Sequence, residues 1–271
     1  GAVPSDGWYS LFDGKIDDTR VYNRAINPDE IKALYDLGSQ QQTVDLSNGL
    51  VAHYKFEGNA NDSSGNGNDG IINGNPGNVA GKFDNALEFD SSNNSSITIE
   101  HDESINPVKQ LTISFWVNPT KFSNSYNSVI YKSGELNRTS NWSDRIYSIF
   151  ITNNGAIHFS STPENGNGQV VCDSGGGLIP IGSFSHITGK VDAINGEMEI
   201  YVNGVIVKSC SYPVGNIKYG EFPLYISSLT DGNYSDTTEF DGIVDDFRIY
   251  NRAINPDEIK ALYDLGSQQQ T

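Results

Sequence analysis

Residues 240–266 read FDGIVDDFRIYNRAINPDEIKALYDLG. The first half is strand-like: Phe247 and Ile249 take one side, Asp246 and Arg248 the other, and Asp245 falls with the apolar set. The second half is a helix with its own punctuation. Asn255 is placed to cap, Pro256 suits the first helical position, and Glu258 completes a capping box. Ile259, Leu262, Tyr263 and Leu265 then form an apolar stripe, and Gly266 is read as the stop. A strand that hands over to one short amphipathic helix is the end of a structural unit.

The same passage occurs earlier in the chain. Residues 23–43 and 251–271 are identical, an offset of 228 residues, and FDGKIDDTRVY from Phe12 matches FDGIVDDFRIY from Phe240 in weaker form. A repeat of this kind marks a structural unit in a tandem array. The expected organisation is therefore residues 1–43 as the C-terminal tail of a preceding repeat plus linker, and residues 44–271 as one complete domain. Both copies encode the same last strand and helix. The first copy can compete for the slot in a neighbouring chain and give a swapped dimer, or it can pack outside the sandwich or stay mobile.

Between the copies, strand follows strand. Leu111, Ile113, Phe115 and Val117 alternate with Thr112, Ser114, Trp116 and Asn118, which reads as a sheet with one buried face. About a dozen such runs are separated by Asn, Gly, Ser and Asp clusters. Asn154-Gly155, Asn195-Gly196 and Asn203-Gly204 sit where hairpin turns are required. The fold class expected is all-β, an antiparallel β-sandwich with one short C-terminal helix.

Composition narrows the function classes. Thirty-four acidic residues against 17 basic ones give a formal net charge of −17, which argues against nucleic acid and anionic membrane surfaces. No apolar run approaches the length of a membrane span, and the opening GAVPSDG lacks a signal-peptide pattern, so any secretion signal is expected outside this sequence. Cys172 and Cys210 have no metal or redox spacing; a cross-strand disulfide and two buried thiols remain open alternatives.

Taken in order, GLVAHYKFEG, DSSGNGNDG, NALEFD, LTISFWVNP, EIYVNG and FDGIVDDFRIYNRAINPDEIKALY resemble the laminin-G-like members of the concanavalin-A-like lectin and glucanase superfamily, in the bacterial form with a pentraxin-like jelly roll. The likeness covers nearly all of residues 49–265, with Phe184 where the family usually has tryptophan. It implies a structural calcium where the first strand meets the last, bound by Asp245 and the loop Asp62 to Gly70, with Asp62, Asn68, Asp69 and Gly70 as the other ligands. The alternative is a solvated Asx-rich turn.

The resemblance also implies a non-catalytic, calcium-binding module of a large extracellular or cell-surface repeat protein, an adhesin that takes glycan or a surface polymer and contacts adjacent repeats. The alternatives are a structural spacer repeat and a polysaccharide hydrolase or lyase. The residues disfavour an enzyme. Glu197 and Glu199 share a strand face, but the glucanase pattern Glu-x-Asp-x-x-Glu is absent, with Val202 at its last place. His53, His101, His158 and His186 are scattered with no nucleophile signature. For a ligand site, Trp142 with Asn141, Asp144 and Arg145 offers an aromatic face beside polar groups, Trp116 is a candidate for the open sheet face, and the loop 162–177 can form the opposite wall.

Overall fold

The structure, a computed structural model, describes residues 19–39, 44–133, 145–165, 168–228 and 239–268. It divides into two compact units, residues 1–43 and residues 44–271. In the first, helix α1 (Pro28–Ser39) opens on the expected capping box: Asn27 Oδ1 accepts the Glu30 N–H at 2.8 Å and Glu30 Oε2 accepts the Asn27 N–H at 2.9 Å.

The second unit is a sandwich of two antiparallel sheets. In chain order its strands are β1 (Leu50–Tyr54), β2 (Gly70–Asn73), β3 (Gly77–Ala80), β4 (Asn85–Phe89), β5 (Ser96–Ile99), β6 (Gln110–Lys121), β7 (Tyr126–Ser133) and β8 (Arg145–Thr152). They continue with β9 (Ile157–Ser161), β10 (Val170–Asp173), β11 (Ser185–Asp192), β12 (Glu197–Val202), β13 (Val205–Ser211), β14 (Leu224–Ile226) and β15 (Asp241–Tyr250), before helix α2 (Pro256–Ser267). One sheet runs β13-β12-β11-β6-β15-β4-β3, with β1 sharing the free edge of β15 beside β4; the other runs β10-β9-β8-β7-β14-β5-β2. The hairpin glycines fall where the sequence places them. At Asn203-Gly204 both residues have positive φ, 51° and 76°, the geometry that turns β12 into β13 in two residues.

Inward-facing side chains from both sheets, among them Ile97, Ile113, Phe115, Ile130, Ile149, Phe159 and Phe247, form the main core. Cys172 and Cys210 are joined as a disulfide with Cα atoms 5.8 Å apart. This ties β10 to β13, the last strand of each sheet, and closes one side of the sandwich covalently.

Three readings of the sequence change here. Gly266 does not end the helix: α2 runs to Ser267 and is capped by Gln268. A Cβ on Gly266 would lie 2.5 Å from the Trp116 ring, so the residue is small because the helix lies directly on that ring. Trp116 accordingly lines no open face; it is 2% exposed and stacks on Tyr263 of α2 at 5.6 Å. Finally, Asp245 does not share a side with Phe247 and Ile249. A bulge between Asp245 and Arg248, with Asp246 at φ 47°, resets the alternation and pairs Asp245 with Trp116 on the outer face.

Candidate functional site

The residues that the resemblance implies for calcium each have hydrogen-bond partners of their own. No group of three Asp, Glu, His or Cys side chains able to hold a metal occurs among the described residues. Asp245 is fully buried. Its Oδ2 accepts the N–H groups of Lys82 at 2.7 Å and Phe83 at 2.8 Å, and its Oδ1 accepts the Asp246 N–H at 2.7 Å. Burial pushes its carboxyl up to about 7, with the Asp246 charge adding to it and the three N–H bonds opposing.

Asp62 instead organises its own loop. Oδ1 accepts the N–H groups of His53 at 2.9 Å and Ser64 at 2.8 Å, and Oδ2 accepts the Ser64 hydroxyl at 2.8 Å and the Asn68 N–H at 3.0 Å. Burial works against the ionised form, but these bonds outweigh it and hold the carboxyl below the usual aspartate range. Asp69 accepts the Asp62 N–H at 2.7 Å, Asn68 donates its amide to Val51 O at 2.8 Å, and Gly70 opens β2 and bonds to Ala60 O at 2.8 Å. Calcium needs six to eight oxygens with free lone pairs. Asp62 already accepts four hydrogen bonds and Asp245 three, whereas Asp69 accepts one, so Asp62 and Asp245 are both held by N–H and O–H donors without an ion.

The other charged candidates are also spent in pairs. Asp246 accepts from Arg248 at 3.0 Å and contacts His53 Nε2 at 2.7 Å. Glu199 pairs with Lys190 and accepts the Tyr201 hydroxyl at 2.8 Å, while Glu197 is exposed and apart from it in role.

The outer face of the seven-stranded sheet is different in character. Register aligns Tyr225, Tyr131, Ser148 and Ser160 across β14, β7, β8 and β9, and Phe150 beside His158 in the neighbouring row. Tyr131, Phe150 and Tyr225 make an apolar cluster separate from the main core. Tyr126 packs edge-on against His158 at 5.1 Å and Phe150 at 6.2 Å. Arg145 lies across this floor, its guanidinium carbon 4.7 Å from the Phe150 ring centre and 6.0 Å from that of Tyr131.

A polar chain crosses the same aromatics. Arg145 Nη1 donates to His158 Nε2 at 3.3 Å, and His158 Nδ1 meets Asp173 Oδ1 at 2.7 Å. Burial lowers the His158 pKa against the pull of Asp173, with the Arg145 charge adding to the lowering. A neutral ring with its proton on Nδ1 satisfies both contacts at once. Tyr131 and Phe150 are buried, whereas Tyr126 is 46% exposed and the Asp173 side chain 61% exposed, so the chain of contacts runs from a closed floor to an open rim.

Arg145 is thus the one expected ligand residue that the structure sets on this face. Asn141, Trp142 and Asp144 lie outside the described residues. Tyr126, Tyr131, Phe150, His158 and Asp173 were not singled out from the sequence as ligand residues. The available signal was weak: in RIYSIFIT, Ser148 and Phe150 alternate with the core residues Tyr147, Ile149 and Ile151 and so must face outward.

Two facing sheets in this strand order, with one terminal helix, define a jelly-roll β-sandwich. The chain belongs to the concanavalin A-like lectin/glucanase superfamily, whose laminin-G-type profile matches residues 91–260. No curated protein is significantly similar to it in sequence.

Among solved structures, it is similar to the binding domain of Paraclostridial Mosquitocidal Protein 1 (TM-score 0.65, 20% identity, 82% of this chain and 53% of that one). It is also similar to a botulinum neurotoxin type C structure described as dependent on two ganglioside molecules for cell entry (0.64, 15%, 83% and 53%). A third is domain 4 of an extracellular arabinanase from Geobacillus stearothermophilus in complex with arabinotriose (0.56, 22%, 79% and 98%). This chain spans about half the length of the toxin binding domains it matches. No helix among the described residues is long and apolar enough to cross a membrane.

Proposed function

We propose that this chain is a non-catalytic binding module that takes a glycan or other cell-surface carbohydrate on the outer face of the seven-stranded sheet. The observation that carries the reading is the chain Arg145–His158–Asp173 laid over Phe150 and Tyr131 and ending at the exposed Tyr126. Sugar rings offer alternating apolar faces and hydroxyl edges, and an aromatic rim beside a carboxylate and an imidazole answers both. The arabinotriose complex and the ganglioside-dependent toxin support carbohydrate as the ligand class. Secretion and an extracellular setting follow from the same reading and agree with a disulfide across the sandwich.

The identity of residues 23–43 with 251–271 favours a second role alongside the first, as one repeat in an array that spaces adhesive units. In that reading residues 1–43 are the tail of a preceding repeat. The test is a glycan array probed with the intact chain and with Tyr126→Ala and Asp173→Ala. Binding to a defined glycan family that weakens roughly tenfold in each variant, with little change in melting temperature, supports the module. Absence of any glycan ligand leaves the spacer as the better account.

A further inference from the structure

Residues 12–43 and 240–271 differ at four positions: Lys15 for Ile243, Ile16 for Val244, Thr19 for Phe247 and Val21 for Ile249. What the copies share in the strand is a set of anchors to other parts of a sandwich. Asp241 accepts the Ser91 N–H and the Ser123 hydroxyl, each at 2.8 Å, and Asp245 takes the N–H groups of Lys82 and Phe83. Asp246 meets His53, and the Tyr250 hydroxyl bonds to Leu46 O at 3.1 Å. Gly242, at φ 151°, lies so close to β6 that a Cβ would be 2.6 Å from Asn118 O. The first copy keeps each of these residues, as Asp13, Gly14, Asp17, Asp18 and Tyr22. A free strand gains nothing from them, because glycine and paired aspartates weaken a strand unless donors and a close neighbouring backbone are present. Residues 12–38 carry the fittings of a segment that closes a sandwich of this design.

The four differences decide which sandwich. Lysine in place of Ile243 is tolerable, because that position is only half-buried and a lysine stem can lie along such a surface with its charge in water. At 244 and 249 one methylene is gained and one lost. Threonine in place of Phe247 is not tolerable. Phe247 is fully buried, its ring 5.7 Å from that of Tyr54 and 6.0 Å from that of Phe115. A threonine there leaves most of a phenyl ring's volume empty between those aromatics and brings a hydroxyl into the core. The helix does not discriminate, since residues 23–43 and 251–271 are identical. We propose that residues 12–38 close an adjacent but non-identical repeat, which has this sandwich's anchor points and fills from its own strands the space that Phe247 takes here. The residue at this position, phenylalanine at 247 and threonine at 19, keeps each closing strand in its own repeat and bars exchange with a second copy of this chain. The inference rests on the array reading above.

The test uses the intact chain with a protease site introduced within residues 229–238 and cut after folding. Cys172 and Cys210 both precede the cut, so the segment carrying residues 240–271 is then held by packing alone. Labelled peptides 240–271, 12–43 and 12–43 with Thr19→Phe compete for its seat in urea just below the unfolding midpoint. Peptide 12–43 is expected to seat at least about a hundredfold more weakly than 240–271, and Thr19→Phe to recover at least about tenfold. In the uncut chain, Phe247→Thr should melt roughly 6–12 °C lower than the parent and Thr19→Phe at the same temperature. Equal seating of 12–43 and 240–271, or an unchanged melt in Phe247→Thr, overturns the inference and leaves the array standing. A Thr19→Phe peptide that seats no better than 12–43 overturns both, since the first copy is then no closing segment.

Discussion

At position 245 a buried carboxyl meets N–H donors where the resemblance implies a metal. A carboxylate in the interior needs compensation, and metal and N–H donors are alternative ways to supply it. The bulge at Asp246 turns Asp245 outward to Lys82 and Phe83, whose backbone amides do the work. Nothing in the one-dimensional pattern announces a bulge, so the alternation was extrapolated through it. Because these N–H bonds already compensate the buried carboxyl, chelation by EDTA is expected to leave the melting temperature unchanged; a drop of several degrees restored by calcium would reinstate the ion. His186 carries a second prediction at this scale. It is buried with Nε2 bonded to Ser114 Oγ at 2.8 Å, and burial pushes its pKa down to about 3. The unfolded chain therefore takes up this proton first, so its contribution to stability is complete above about pH 6.5 and is lost as the pH falls toward 3. Chemical denaturation of His186→Gln should lose about 2–3 kcal/mol less than the parent between pH 6.5 and 4.5. Equal losses would contradict a buried neutral imidazole.

Among the elements, the two helices make a natural comparison, because α1 and α2 have the same twelve residues. Both form, and both are capped alike: Arg24 pairs with Glu30 at 2.7 Å as Arg252 pairs with Glu258 at 2.6 Å, each glutamate closing the box with its asparagine. Local sequence is enough for the helix and its start, which is why both were legible. It does not decide burial. Ile31 is 54% exposed and Val21 93%, whereas their counterparts Ile259 and Ile249 are fully buried, α2 lying on Tyr201 and Tyr250 and β15 entering the main core. The role of Gly266 was equally invisible, since a glycine near a helix end reads as a stop unless the Trp116 ring beneath it is known. Helix propensity alone would make Gly266→Ala stabilising by roughly 1 kcal/mol. Contact with Trp116 reverses the sign, and thermal unfolding should show a loss of about 1–3 kcal/mol. A stabilised variant would mean that the helix does not rest on that ring.

On the scale of the whole molecule, the sandwich, its hairpins and its closing helix were legible because alternation and turn chemistry are local. The sheet-face site was not, because it depends on strand order. Tyr131, Phe150, Tyr225 and Asp173 come from four strands that are neighbours only after β14 inserts beside β7 and β10 closes the edge beside β9. The disulfide was undecided for the same reason, since β10 and β13 belong to different sheets. It spans 38 residues and joins the two edges, so its reduction is expected to cost about 2–4 kcal/mol, measured as a fall in the denaturation midpoint with reductant. An unchanged midpoint after verified reduction would show that the sheets hold without it. The central claim concerns where a carbohydrate sits. The most direct measurement is an NMR titration of the labelled chain with an oligosaccharide ligand from the glycan array. The account predicts that shifts cluster at Tyr126, Phe150, His158 and Asp173; shifts confined to the eight-stranded sheet, or no shifts at saturating ligand, would contradict it.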